Sequence, residues 1–157
     1  MYGEVVVDRP IEEVWAAVQE YHKWVPEHKL SQRKTIRGEP GRPGEVVEIL
    51  KPGATEPIYS ETVRIRPPQI IDGSHQVANI VWAVYDPEVS FSLFSDFGVR
   101  EYNGKTIFYR SVYCSMPPSS EDLLKTRQAQ AEGKSDGLSE AMVVMREQIE
   151  EYLQGRQ

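Results

Sequence analysis

The chain has 157 residues, of which 39% are hydrophobic and 27% charged, and its formal net charge is −6. This length fits one domain with its own core, so residues 1–157 are predicted to form a single domain. The acidic balance argues against a nucleic-acid binder, which needs clustered Lys and Arg against phosphate. One cysteine, Cys114, excludes an internal disulfide framework and a multi-cysteine metal site.

No stretch approaches the ~20 apolar residues that cross a bilayer, so we expect no membrane insertion. The N-terminus shows no basic segment followed by an apolar one, the pattern of a secretory signal. A cytoplasmic location is therefore predicted. The oligomeric state stays open.

The first elements are a strand and a helix. Gly3–Val7 is a Val-rich run that predicts a strand. Asp8 can accept a hydrogen bond from the first turn of a helix and Pro10 fits that turn, which predicts a helix over 10–20. Pro26 limits any continuation, so residues 21–28 are predicted to form a short corner. One apolar face at helical spacing supports the helix: Ile11, Val14, Trp15 and Val18.

The middle of the chain reads as strands separated by turn-forming residues. Pro67-Pro68 is expected to end the strand Ile58–Arg66, and the layout of residues 69–88 stays open. Along the strand Ile58–Arg66 we assign Tyr59, Glu61, Val63 and Ile65 to the inner face of the sheet. The predicted strands are Gln32–Arg37, Glu45–Leu50, Ile58–Arg66 and Gln76–Tyr85.

Asn103-Gly104 predicts a tight two-residue hairpin, because this dipeptide accepts two positive φ angles. With Tyr102 opposite Lys105, Phe97 faces Arg110 across the hairpin. One face is then apolar with a single charge, and a one-residue slip would scramble it. That face comprises Val89, Phe91, Leu93, Ser95, Phe97, Val99, Phe108, Arg110, Val112 and Cys114.

A long C-terminal helix is predicted from Ser119 to about Leu153, with a break near Gly133 and Gly137. Its second half has an amphipathic stripe that would cover an apolar sheet face. The element order therefore predicts an α+β fold, a curved antiparallel sheet of about seven strands wrapped around this helix. The stripe consists of Leu138, Ala141, Met142, Met145, Ile149, Tyr152 and Leu153.

Five short motifs follow one another along the chain: Val7-Asp8-Arg9-Pro10-Ile11-Glu12-Glu13-Val14-Trp15, Trp24-Val25-Pro26, Arg66-Pro67-Pro68, Ser95-Asp96-Phe97 leading into Asn103-Gly104-Lys105-Thr106, and Gly137-Leu138. In this order they resemble the START-like or SRPBCC superfamily. The late hairpin and the last helix are most similar to its polyketide cyclase/dehydrase branch. The segment Asp72–Asp86 is longer than the superfamily's compact pattern.

The resemblance implies a helix-grip fold with a deep internal cavity between sheet and helix. It does not imply one chemistry, since such folds serve lipid carriers, hormone receptors and polyketide aromatase/cyclases. We expect a small hydrophobic or aromatic ligand, polyketide-like, as the partner. The alternatives are a cofactor-free cyclase, dehydratase or related lyase/isomerase, and an interaction module with mobile loops at 38–44 and 72–79.

Three residues are the candidates for catalysis. Arg110, on the predicted inner face, would stabilise negative charge on an oxygen, while Glu61 or Tyr59 moves a proton. The plainer interpretation is a structural ion pair between Arg110 and Glu61, or a strand register that places both side chains on the outer face of the sheet.

The candidate ligand-binding residues are apolar positions of the inner face and one imidazole near the corner. Aromatic and Met side chains at such spacing are also typical of plain core, and a histidine there is also typical of a surface. The three histidines lack metal-site spacing and no nucleotide-binding motif occurs, so neither metal nor cofactor is expected. The candidates are Phe91, Phe97, Phe108, Val112, Trp82, Met142, Met145 and His28.

Overall fold

The computed structural model describes residues 2–71, 73, 75–86, 91–115 and 138–156. Its strands and helices appear in the order that the sequence predicts. The strands are β1 (Tyr2–Val7), β2 (Gln32–Arg37), β3 (Val46–Leu50), β4 (Ile58–Ile70), β5 (Gln76–Asp86), β6 (Phe91–Tyr102) and β7 (Lys105–Ser115). The helices are α1 (Ile11–Gln19), a 3₁₀ turn (Tyr21–Lys23), α2 (Pro26–Lys29) and α3 (Leu138–Gln154).

The seven strands form one antiparallel sheet in the order β1-β7-β6-β5-β4-β3-β2. Strands β2 to β7 follow one another as a meander, and β1 forms the edge strand next to β7. Helix α3 packs on β1, β7 and α1, while α1 packs on β4 to β7. The predicted α+β architecture, with a helix against one sheet face, is confirmed.

The hairpin between β6 and β7 has the predicted register. Tyr102 pairs with Lys105 and Phe97 with Arg110. Asn103 and Gly104 have φ angles of 49° and 74°, the two left-handed positions that this turn requires. Val89 and the side chains of Phe91 and Cys114 lie outside the described residues.

Strand β4 differs from the prediction because it runs through Pro67-Pro68 and ends at Ile70. The register with β5 shifts between Arg66 and Gln69, so the two prolines occupy an irregularity where the ladder needs no N–H donor. The layout left open over 69–88 is settled in part, since β5 pairs with β4 up to Ile70. Ser119 and the predicted break near Gly133 and Gly137 fall outside the described residues.

The core lies between the sheet and the helices. Helix α1 buries the predicted apolar face, with Val14 and Val18 fully buried and Trp15 6% exposed. Helix α3 contributes Met142 and Ile149, both fully buried. In the described part of the chain, no helix is both long and apolar enough to cross a bilayer.

Candidate functional site

A pocket of about 460 Å³ lies between the inner face of the sheet, the corner after α1, and helix α3. We call it the inner pocket. Most of its lining is apolar, with a few polar groups among the aromatic and aliphatic side chains. Its lining residues are Tyr21, Val25, Pro26, His28, Ile49, Lys51, Ile58, Ser60, Trp82, Val84, Leu93, Ser95, Phe97, Arg110, Ala141, Val144, Met145 and Gln148.

An aromatic wall forms one side of the inner pocket. The ring centres of Tyr21 and Trp82 are 4.8 Å apart, and those of Trp82 and Phe97 are 5.3 Å apart. Phe97 in turn stacks on Phe108 at 5.9 Å. Such tilted and edge-on contacts are arrangements that aromatic quadrupoles favour, so these rings form a well-packed apolar surface.

The corner that supplies Tyr21 is held against α1. The Trp24 indole Nε1 donates a buried hydrogen bond of 2.8 Å to the Ala17 carbonyl oxygen. The same carbonyl oxygen also accepts the Glu20 amide at 2.9 Å, so the indole adds a second bond at the end of α1. Pro26 then begins α2 at its first position, where proline costs no hydrogen bond.

Arg110 lies on the inner face of β7, as the hairpin register predicts. Its guanidinium carbon is 4.9 Å from the centre of the Phe97 ring, a cation–π contact. Its Nε donates a hydrogen bond of 3.2 Å to Ser95 Oγ. These two contacts hold one cation at the surface of a mainly apolar pocket.

His28, in α2, faces the same pocket with its ring 4.7 Å from that of Tyr21 and edge-on to it. Its Nδ1 is buried and has no hydrogen-bond partner among the described residues. Burial, followed by the positive charges of Arg33, Lys51 and Arg110, lowers the pKa of His28 to about 4. The imidazole is therefore neutral at neutral pH.

A second pocket of about 310 Å³, the side pocket, adjoins the inner pocket and shares Tyr21, Ser60 and Trp82 with it. Its lining is more polar. Glu45 is 9% exposed and accepts hydrogen bonds from Thr35 Oγ1 at 2.6 Å and from the Gly41 amide at 2.7 Å. These bonds fasten the base of the loop at 38–44 to β2.

Five predicted site residues line the inner pocket: Arg110, His28, Phe97, Trp82 and Met145. Three more are buried in the core without lining it, namely Phe108, Val112 and Met142. The side chain of Phe91 lies outside the described residues.

The assignment of Tyr59 and Glu61 to the inner face is wrong. Ser60 and Thr62, which alternate with them, are the buried residues of this part of β4 and line the pockets. Glu61 is instead paired with Arg37 on the other face, Oε1 to Nη2 at 3.2 Å, with its side chain 44% exposed. A register shift between Thr62 and Arg64 returns Ile65 to the inner side, so strict alternation does not hold along β4.

Among the residues that sequence reasoning did not assign to the site, three have aromatic or charged side chains. Arg33, in β2, lines the side pocket, and its Cζ is 5.6 Å from the centre of the Tyr21 ring. Its Nη1 is buried and has no hydrogen-bond partner among the described residues. Tyr21 and Lys51 both line the inner pocket. Tyr21 follows Val14 and Val18 by seven and three positions, a spacing that could have marked it; no signal marks Lys51.

Among the described residues, no group of three or more His, Cys, Asp or Glu side chains is placed to hold a metal ion.

Comparison with known proteins identifies the fold but no family, since no family model and no curated protein matches the chain. Solved structures with a similar fold include the following three. A norcoclaurine synthase point mutant from Thalictrum flavum, in complex with a transition-state analogue, has a TM-score of 0.58 and 10% identity, covering 99% of this chain and 94% of that one. Ara h 8.0201 has a TM-score of 0.56 and 12% identity, covering 99% and 97%.

The third is a hypothetical protein from Helicobacter pylori, with a TM-score of 0.56 and 12% identity, covering 84% of this chain and 83% of that one. At these identities the likeness concerns the fold alone. The predicted helix-grip fold, a seven-stranded antiparallel sheet with a C-terminal helix, is confirmed.

Proposed function

We propose that this protein binds a small hydrophobic or aromatic molecule, polyketide-like in size and shape, in the inner pocket. The observation that carries the proposal is the aromatic wall of Tyr21, Trp82 and Phe97 beside the inward guanidinium of Arg110. A volume of about 460 Å³ lies within the range of small-molecule sites, ~300–1,000 Å³. Arg110 orients an oxygen of the ligand, since a guanidinium in apolar surroundings binds an acceptor strongly.

A cofactor-free cyclase, dehydratase or related isomerase is the second candidate. Arg110 would stabilise a developing oxyanion, and His28, neutral and lining the same pocket, would accept or donate the proton. Glu61 is on the other face and does not fit the proton-transfer role first assigned to it. The fold of norcoclaurine synthase, an enzyme by its name, is the comparison that favours this candidate.

Native mass spectrometry of freshly purified protein tests the binding proposal. We expect a small molecule bound in a one-to-one ratio, which extraction then identifies. The variant Val84→Trp fills part of the inner pocket and should lose this adduct. Val63→Trp, an equal change at an exposed position of β4, should retain it. Retention of the adduct by Val84→Trp would contradict the assigned pocket.

If the purified protein is free of ligand, titration of phenolic and polyketide-like compounds replaces the extraction. Failure of every compound to bind more tightly to wild type than to Val84→Trp would overturn the proposal. Turnover separates the two candidates: an enzyme converts the bound compound, with loss of water or with rearrangement at constant mass. A binder returns it unchanged.

A further inference from the structure

The charged residues that the structure describes in the lining of the inner pocket are both positive. Arg110 and Lys51 line it, and no Asp or Glu occurs among its described lining residues. A positive group in a pocket with low-dielectric walls attracts negative charge more strongly than it would in water.

His28 lies in the field of these cations. Its electrostatic neighbours are Arg33 from β2, Lys51 after β3, Arg110 from β7 and His22 from the 3₁₀ turn, and all of them oppose its protonation. Gln148, from α3, lines the same pocket and is uncharged. Burial opposes protonation first, and these charges add to it, so His28 is neutral with no ligand bound. Its buried Nδ1 has no partner among the described residues.

We propose that the ligand of the inner pocket is an apolar or aromatic anion whose charged oxygen lies among Arg110, Lys51 and His28, and that its binding places a proton on His28. This inference rests on the proposed function, because it names the chemical class of that ligand. The proton comes from solvent and converts the imidazole to an imidazolium. No bond of the ligand breaks.

Linkage gives the reason for the proton. An anion close to His28 offsets the repulsion from Arg33, Lys51 and Arg110. It also accepts a hydrogen bond from the protonated ring, so it raises the affinity of the ring for a proton. By reciprocity, protonation of His28 raises the affinity for the anion to the same degree. A neutral ligand of the same shape has no such effect, since it leaves the repulsion in place.

Two probes with one apolar body test the proposal. Naphthalenesulfonate stays ionised at every pH of interest, whereas naphthalenesulfonamide is its neutral counterpart. Near pH 6 we expect wild type to bind the sulfonate at least about tenfold more tightly than the sulfonamide, as a charge-assisted hydrogen bond of ~1.5–3 kcal/mol implies. Its affinity should rise as the pH falls, by up to about tenfold per pH unit.

Calorimetry in two buffers of different ionisation enthalpy measures the proton directly. We expect uptake of up to one proton per bound sulfonate, and none for the sulfonamide. His28→Gln should still bind the sulfonate, but without proton uptake and with a flat pH dependence. Lys29→Gln is the matched control, because Lys29 is exposed and does not line the inner pocket. It should behave as wild type.

Each result has one meaning. If neither probe binds, and no other apolar compound does, the proposed function itself fails. If both probes bind with equal affinity, the pocket stands and the anionic class is wrong. If the sulfonate is preferred without proton uptake, or with uptake that persists in His28→Gln, the role of His28 is wrong.

Discussion

Arg110 lies directly opposite Phe97 in the β6–β7 pair, and its guanidinium carbon is 4.9 Å from the centre of the Phe97 ring. The register of the hairpin therefore places the inward cation over an aromatic ring of the pocket wall. The hydrogen bond from Arg110 Nε to Ser95 Oγ fixes its orientation further. A side chain held in this way loses little additional conformational entropy when a ligand binds.

Arg110→Leu should weaken ligand binding by about 10- to 100-fold, the range expected for a lost charge-assisted hydrogen bond of ~1.5–3 kcal/mol. The fold should persist, because leucine is tolerated in a half-buried apolar environment. Ligand titration and the thermal midpoint check both statements. Arg64→Leu, at an exposed position of β4, is the control and should bind normally. Unchanged affinity in Arg110→Leu would contradict the proposal that Arg110 binds an oxygen of the ligand.

Trp15→Ala should lower the free energy of unfolding by about 3–5 kcal/mol, because it leaves a cavity under α1. Trp15 is 6% exposed and belongs to the main hydrophobic cluster. Chemical denaturation measures the loss, and Glu12→Ala on the exposed side of the same helix is the control. Equal stability of Trp15→Ala and wild type would contradict the packing of this face.

Gly98→Ala should destabilise the sheet through a contact with Tyr109. A Cβ at Gly98 would lie 1.9 Å from Tyr109 Cζ, so the ring must move. We expect a cost of about 1–3 kcal/mol, as for overpacking elsewhere. In Tyr109→Ala the same glycine substitution should cost much less, and a double-mutant cycle by denaturation measures the difference. Additive effects would show that the ring is not the obstacle.

Wild type should lose more stability than His28→Gln on acidification. The pKa of His28 is about 4 in the folded protein and 6.5 in an unperturbed histidine, so the unfolded chain binds the proton first. The contribution of neutral His28 to the free energy of unfolding is therefore fully present above about pH 6.5 and is lost as the pH falls towards about 4. Thermal midpoints across this range check it. His22 also has a lowered pKa, from burial first and then Arg33, so the comparison with His28→Gln isolates the one ring.

The elements of the fold that could be predicted from the sequence are those determined by local residue chemistry. The Asn103-Gly104 turn determines the pairing of every residue in the β6–β7 hairpin, so the inward position of Arg110 followed from the sequence. Helix α1 was predictable because its buried face is uniformly apolar.

The inner face of β4 was not predictable from hydrophobicity. Ser60 and Thr62 face the pockets while the larger Tyr59 lies on the other side, since a pocket wall admits small polar groups that a filled core excludes. The register shift after Thr62 has no marker in the residues themselves. Arg33 was missed for a related reason, because a basic strand normally faces solvent.

The hydrogen bond from the Trp24 indole to the Ala17 carbonyl ties the pocket to the helix before it. Tyr21 and His28 lie on either side of Trp24 along the chain, and both line the inner pocket. We therefore expect a change in the tilt of α1 to move these two rings. Selection for a different ligand would be expected to recover substitutions in the interior of α1, at positions that never touch the ligand.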